Sequence, residues 1–301
     1  MKLLLLIFFF VLILVAFPFD DCFADNNNSK TSETTRPLIG LALSGGGVKG
    51  FAHVGVLKVL EEAGVDVDIV TGTSMGAIVG GLYAIGYTPA EIETLVVTTD
   101  WNRYLDDSPE RRDLTMELKQ YSDRYQISLP FGKTGIELPT GYLSGQRFGN
   151  VLNRMTWHVH DDTVFTMFPR KFACVATDLC AGEVVVLKEG FLPEAMRASF
   201  AIPGIFTAVE IDGKLLVDGS IARNFPVEDA IDLGATNVIG VDVGGERVDP
   251  AQLKSVIDVI NQSFNYNDAT SSLKQRSLCD LLIEPDISDI STLDFDKAEL
   301  A

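Results

Sequence analysis

Gly72-Thr73-Ser74-Met75-Gly76 fits the pattern GxSxG, and its surroundings make Ser74 a candidate nucleophile. An apolar run precedes it and a segment rich in small residues follows, the setting of a sharp strand-to-helix turn that lifts a serine hydroxyl out at the carboxyl edge of a sheet. Such a turn needs Gly72 and Gly76 beside the serine because side chains there would clash, and the helix N-terminus behind it adds positive potential. Read as structure alone, the same letters describe an ordinary turn with a serine N-cap.

A serine nucleophile needs a base. The chain has three histidines: His53 in the helix after a glycine-rich turn, and His158 and His160 in Trp157-His158-Val159-His160, where surface or packing roles suit them better. The stronger candidate is Asp218 in Val217-Asp218-Gly219-Ser220, where an apolar strand gives way to a turn. A carboxylate with a reference pKa of about 3.9 is a weak base, so this role requires partial burial and a close hydrogen bond to the serine. The plain alternative for Asp218 is an Asp-Gly turn.

Gly45-Gly46-Gly47-Val48-Lys49-Gly50 also follows a strand and opens a helix. A dinucleotide site would want an acidic residue at the end of the second strand, but Asp66 and Asp68 stand at its start, and the serine turn occupies the place itself. A P-loop fails because Gly50, not Ser or Thr, follows Lys49. The remaining reading is a loop whose backbone N–H groups face a developing oxyanion.

These three motifs, in this order, resemble the patatin-like phospholipases, in particular the bacterial branch that shares its domain with neuropathy target esterase. Further similar strings are Ala176-Thr177-Asp178-Leu179, the run from Arg197 through Ser199 to Phe206, and Asn224-Phe225-Pro226. The resemblance covers residues 41–232. It implies a serine lipid acyl hydrolase in which Ser74 attacks the acyl carbonyl, Asp218 takes its proton and the amides around Gly46, Gly47 and Val48 hold the oxyanion, with no metal or cofactor. One departure is Ser220, where the family usually has Gly or Ala after Asp-Gly. The alternative is a catalytically silent lipid- or protein-binding module on the same fold.

The elements that must position these groups follow from hydrophobic periodicity. Strands are expected at 38–43, 67–70, 172–177, 184–187, 214–217, 237–243 and 281–284, and helices at 48–63, 77–85, 192–199 and 250–265. Their alternation predicts an α/β fold, a three-layer α/β/α sandwich with a mostly parallel central sheet. Residues 101–166, with mixed charges, scattered aromatics and Gly-Pro turns, read as an inserted cap near the site's mouth. Residues 233–301 read as a C-terminal extension packing on the sheet edge.

Lys2, the unbroken apolar run 3–17, and Ala24 have the layout of a signal peptide over 1–24, which predicts export; a retained N-terminal anchor is the alternative. Residues 25–37 form a polar linker. Export permits disulfides, but Cys174, Cys180 and Cys279 allow at most one bridge in the mature chain, and free thiols fit an apolar strand better. A net charge of −18 over 301 residues disfavours nucleic acid as a partner. It likewise means that contact with a membrane would come from apolar surface. The expected partner is a lipid or ester substrate.

Overall fold

The computed structural model describes residues 36–104, 141–244 and 272–287, with short stretches and single positions between and beyond them. The expected signal peptide, nearly all of the linker, and the expected helix at 250–265 apart from Gln262 lie outside the described residues. Among the described residues no helix is long and apolar enough to cross a membrane.

In chain order the strands are β1 (Ile39–Leu43), β2 (Ile69–Thr73), the short pair β3 (Phe131–Gly132) and β4 (Gly135–Ile136), β5 (Gly141–Leu143), β6 (Lys171–Asp178), β7 (Glu183–Leu187), β8 (Gly204–Phe206), β9 (Val209–Ile211), β10 (Lys214–Asp218), β11 (Asn237–Val241) and β12 (Leu281–Ile283). The helices are α1 (Ala52–Glu62), α2 (Met75–Ala84), α3 (Pro89–Thr98), α4 (Trp101–Tyr104), α5 (Gln146–Met155), α6 (Leu192–Ser199) and α7 (Val227–Asp232). The main sheet has the order β12-β11-β1-β2-β6-β10-β9, with β7 also on β6. The first five strands of that order run parallel, whereas β7 and β10 are antiparallel to β6, and β9 is antiparallel to β10. The sheet is thus mostly parallel, and its antiparallel part consists of the β6–β7 and β9–β10 hairpins and the long-range pairing of β10 with β6.

Both faces of the sheet are covered, so β1 and β2 are almost entirely buried, and the two threonines of β2, Thr71 and Thr73, donate their hydroxyls to the Pro226 and Arg223 carbonyls. The pleat still sorts them. Leu41 and Leu43 join the larger core with α1 and α2, whereas Ala42 and Ile69 join a second cluster with Phe225, Val227 and Ala230 around α7. Two cores on opposite faces are what make three layers. Every residue of α2 is buried, and its small side chains permit this: a Cβ on Gly80 would stand 2.9 Å from Val70 Cγ1, and one on Gly81 2.2 Å from Met196 Cε. Pro89 opens α3 behind a capping box, in which Thr88 Oγ1 accepts from the Glu91 amide at 3.3 Å and the Glu91 carboxylate accepts from the Thr88 amide at 2.9 Å.

Of the expected cap at 101–166, most of 105–140 lies outside the described residues. From Gly141 onward the segment is built into the body: β5 pairs in parallel with β8, and α5 buries Phe148, Val151, Leu152 and Met155 in the larger core. Phe148 packs against Phe200 and Phe206, with ring centroids 4.9 and 6.0 Å apart. The Gly and Pro turns that suggested an excursion flank a strand and an amphipathic helix that return the chain to the core. Cys174, Cys180 and Cys279 carry no disulfide. Burial pushes the Cys174 thiol far up and that of Cys279 up to about 11.

Phe148→Ala distinguishes a detachable cap from a built-in one. Loss of a fully buried aromatic costs about 3–5 kcal/mol, so the whole domain's unfolding midpoint in urea should fall in a single transition; an unchanged midpoint would mean that residues 141–167 are not part of the cooperative core.

Candidate active site

The site is organised by how strands share the edge of β6. β7 pairs with β6 continuously from Cys174 to Asp178, which occupies one edge of that strand. The other edge is divided: β2 runs parallel along it until Thr73 faces Val175, and β10 approaches antiparallel until Asp218 faces Ala176. The carboxyl ends of β2 and β10 therefore meet end to end over Val175 and Ala176. Ser74 is the first residue past one strand, and Asp218 is the last of the other.

At that junction Ser74 Oγ donates to Asp218 Oδ2 at 2.7 Å, and both residues are buried, 3% and 1% exposed. Ser74 has φ 54° and ψ −121°, a conformation that residues with a Cβ rarely adopt, and it caps α2. Holding it costs on the order of 1–3 kcal/mol, offset by close packing that only glycines allow. A Cβ on Gly72 would lie 2.3 Å from the Gly76 carbonyl, and one on Gly76 would lie 2.4 Å from the Leu43 carbonyl. Both glycines of the motif are thus required, and Gly76 also locks the turn to β1.

The other carboxylate oxygen, Asp218 Oδ1, accepts from the Ser220 amide at 2.9 Å and from Ser220 Oγ at 2.7 Å. Burial pushes the Asp218 pKa up from 3.8 to about 6, and the bonds from Ser220 and Ser74 pull against that rise. Ser220 therefore fits the turn and adds a donor that Gly or Ala would lack. Gly219 is needed for another reason: a Cβ there would stand 2.3 Å from the Val175 carbonyl, so the chain lies directly on β6.

The glycine-rich turn follows β1, where Leu43 faces Gly72 of β2, and it reaches the serine. A Cβ on Gly45 would be 3.1 Å from Ser74 Cβ and 2.8 Å from Ser220 Oγ. The turn's amides differ in how they are used. Gly45 donates to the Asn224 carbonyl at 3.2 Å and Val48 to the Thr292 carbonyl at 2.9 Å, while no acceptor for the Gly46 and Gly47 amides is found among the described residues. Lys49 and Gly50 lie in the 3₁₀ turn Gly47–Phe51, pressed onto α2: a Cβ on Gly50 would meet Met75 Cβ at 2.5 Å.

None of the histidines is at the junction. His53 is fully buried beneath the glycine turn, where Nε2–H donates to the Ser44 carbonyl at 2.9 Å, and burial lowers its pKa to about 4, which keeps it neutral. Ser44 Oγ in turn accepts from the Val243 amide at 2.8 Å, tying the turn to the chain after β11. His158 packs on Tyr87, and His160 lies between Trp157 and Phe191. Sequence reasoning did not single out Ser199 or Ser44, because a lone serine carries no spacing signal. Two surface grooves of about 440 and 530 Å³, both lined in part by Phe191 and Glu194, do not include Ser74 or Asp218. No group of three or more His, Cys, Asp or Glu that could hold a metal ion occurs among the described residues.

The sequence profile of the patatin-like phospholipases matches residues 41–231. The chain belongs to this family. It is 31% identical over 219 residues to the NTE family protein Mb1092c of Mycobacterium bovis, covering 73% of this chain and 52% of that one. It is also 31% identical over 207 residues to the lysophospholipase NTE1 of Saccharomyces cerevisiae, covering 68% of this chain and 11% of the yeast protein. The chain therefore spans about half the length of the mycobacterial relative and about a tenth of the yeast one. Among solved structures it is similar to VipD from Legionella pneumophila, with a TM-score of 0.44 and 18% identity, over 72% of this chain and 52% of VipD.

The raised pKa of Asp218 has a consequence for stability that this patatin-like domain can be made to reveal. A carboxyl that holds its proton more tightly when folded costs nothing below its unfolded value near 3.8, progressively more as pH rises, and its full penalty above about 6. Asp218→Asn removes the titration. The stability of the Asn variant relative to wild type should rise between pH 4 and pH 7.5, by at most about 3 kcal/mol; a gap that stays constant across that range, measured by urea unfolding, would show that Asp218 titrates normally.

Proposed function

We propose that the chain is a serine acyl hydrolase that releases fatty acid from lipid esters, the phospholipase, lysophospholipase and carboxylesterase class of reaction. The observation that carries this is the 2.7 Å hydrogen bond from Ser74 Oγ to the buried Asp218 carboxylate, made at a strained strand-to-helix turn beside a glycine-rich loop. Family membership and the NTE1 lysophospholipase relatives support the lipid ester as substrate.

In the proposed reaction Ser74 Oγ attacks the acyl carbonyl carbon while its proton passes to Asp218 Oδ2. The carbonyl oxygen becomes an oxyanion held by backbone amides of the glycine turn, at the positive end of α2. Gly46 and Gly47 fit this role best, since their amides have no other acceptor among the described residues, and the residues from Gly45 to Gly50 hold them in place. Collapse of the intermediate expels the alcohol, which takes the proton from Asp218 and leaves an acyl-Ser74 ester. Water, deprotonated by Asp218, then attacks that ester, and collapse of the second intermediate returns the proton from Asp218 to Ser74 Oγ as the fatty acid leaves. Gly72 and Gly76 shape the elbow, and Gly219 and Ser220 shape the turn that carries the base. The same reading includes export through residues 1–24 and contact with lipid through apolar surface.

Hydrolysis of p-nitrophenyl esters and lysophospholipids by the wild type should be abolished in Ser74→Ala and reduced by at least about a hundredfold in Asp218→Asn. A folded Ser74→Ala variant with wild-type rate would refute the nucleophile. Because the base must be ionised, kcat/KM should fall on the acid side with a midpoint near 6. Ser220→Ala, which deletes one donor to Asp218 Oδ1, should move that midpoint upward. A midpoint unmoved or lowered would separate Ser220 from the base.

A further inference from the structure

Ser199 closes α6 and is fully buried, yet its hydroxyl is not idle. Its Oγ donates to the Val175 carbonyl at 2.6 Å and accepts from the Ser74 backbone amide at 2.9 Å. A hydroxyl has one proton, so with that proton on Val175 the oxygen presents a lone pair to the Ser74 N–H, and the direction of the relay is fixed. Val175 is the β6 partner of Thr73, the residue just before the nucleophile. The Ser199 hydroxyl therefore stands between β2 and β6 at the point where the chain leaves the ladder and turns into the elbow.

Two residues farther on, the same turn holds the other half of the site. The Ala201 carbonyl accepts from the Asp218 amide at 2.9 Å. A single short stretch, Ser199 to Ala201, thus grips the backbone of Ser74 through a hydroxyl and the backbone of Asp218 through a carbonyl. Its own geometry is set by the end of α6, where the amides of Phe200 and Ala201 bond back to Met196 and Ala198 at 3.0 and 3.2 Å. The bond to Ser199 also commits the Ser74 amide within the protein, so that amide is not available to a substrate oxygen.

We propose that Ser199 is a positioning residue of the reaction: its hydroxyl replaces a strand-to-strand contact at the nucleophile's amide and sets the Ser74 to Asp218 distance together with the Ala201 carbonyl. This rests on the reading of Ser74 as nucleophile. Losing the hydroxyl leaves a buried amide and a buried carbonyl unpaired, and the strained elbow loses the contact that registers it against the base.

The test compares wild type with Ser199→Ala, Ser199→Thr and Ser199→Val, each expressed as the full chain, with turnover given per active site titrated by a fluorophosphonate ester. Ser199→Ala and Ser199→Val should lower both kcat and the fluorophosphonate labelling rate by roughly 10- to 100-fold with KM within about twofold. Ser199→Thr, which keeps the hydroxyl in nearly the shape of valine, should recover most of that loss. A purely structural serine would lower the unfolding midpoint and the titratable fraction while leaving turnover per titrated site unchanged, and that result for Ser199→Ala would overturn the proposal, as would Thr and Val variants of equal rate. A wild type inert to the fluorophosphonate and to every ester would instead sink the nucleophile reading itself.

Discussion

The arrangement on which everything else depends is the sharing of one edge of β6. Because β7 takes the opposite edge from Cys174 to Asp178, β2 and β10 meet along the same line, one parallel and one antiparallel, at Val175 and Ala176. Two strands abutting by their carboxyl ends bring together the residues that follow or end them. Nothing in the local sequence of either strand specifies this. It is a property of register, and a slip of one residue in either ladder would turn Ser74 or Asp218 to the wrong face. The Val175 carbonyl marks the point of junction: the Ser199 hydroxyl donates to it, and Gly219 passes too close to it for any side chain.

Burying Asp218 is costly, and the surroundings show how the cost is limited. Desolvation alone would keep the carboxyl protonated at neutral pH, which would remove the base. Three donors, the amide and hydroxyl of Ser220 and the hydroxyl of Ser74, favour the ionised form and hold the pKa near 6. An ordinary exposed aspartate would ionise more readily but would be a poorer proton acceptor. An aspartate buried without donors would stay neutral. The observed set lies between these limits, where the group is ionised at neutral pH and still basic enough for the role proposed for it.

Much of this was legible in the sequence where the signal is local. The three motifs, the strands they follow and the α6 segment at 192–199 were placed from apolar runs and glycine spacing, and the structure has them there. The junction on β6 was not legible, because strand order and register depend on contacts between distant segments. The β9–β10 hairpin was signalled by Asp212-Gly213, but the antiparallel placing of β7 and β10 on β6 was not, because the direction of an apolar run leaves no mark. Residues 141–167 misled because their composition is that of a loop, while the side chains that bind them to the core, Phe148 above all, signal only through helical spacing. Ser199 stood only inside the family-like run from Arg197 to Phe206, where nothing in its spacing marks a role.

The histidines illustrate the same limit from the other side. A serine with a distant histidine is the common arrangement, yet here the buried histidine, His53, serves the glycine turn as a donor to the Ser44 carbonyl. Its low pKa follows from burial and keeps the ring neutral over the range in which Asp218 ionises. The division of roles is consistent at the level of backbone groups as well. The Gly45 and Val48 amides and the Ser74 amide all have acceptors within the protein, which fixes the loop and the elbow, while the Gly46 and Gly47 amides have none among the described residues. In the proposed reaction, a turn whose outer amides are anchored and whose inner ones are not would be oriented before any charge develops on the substrate oxygen.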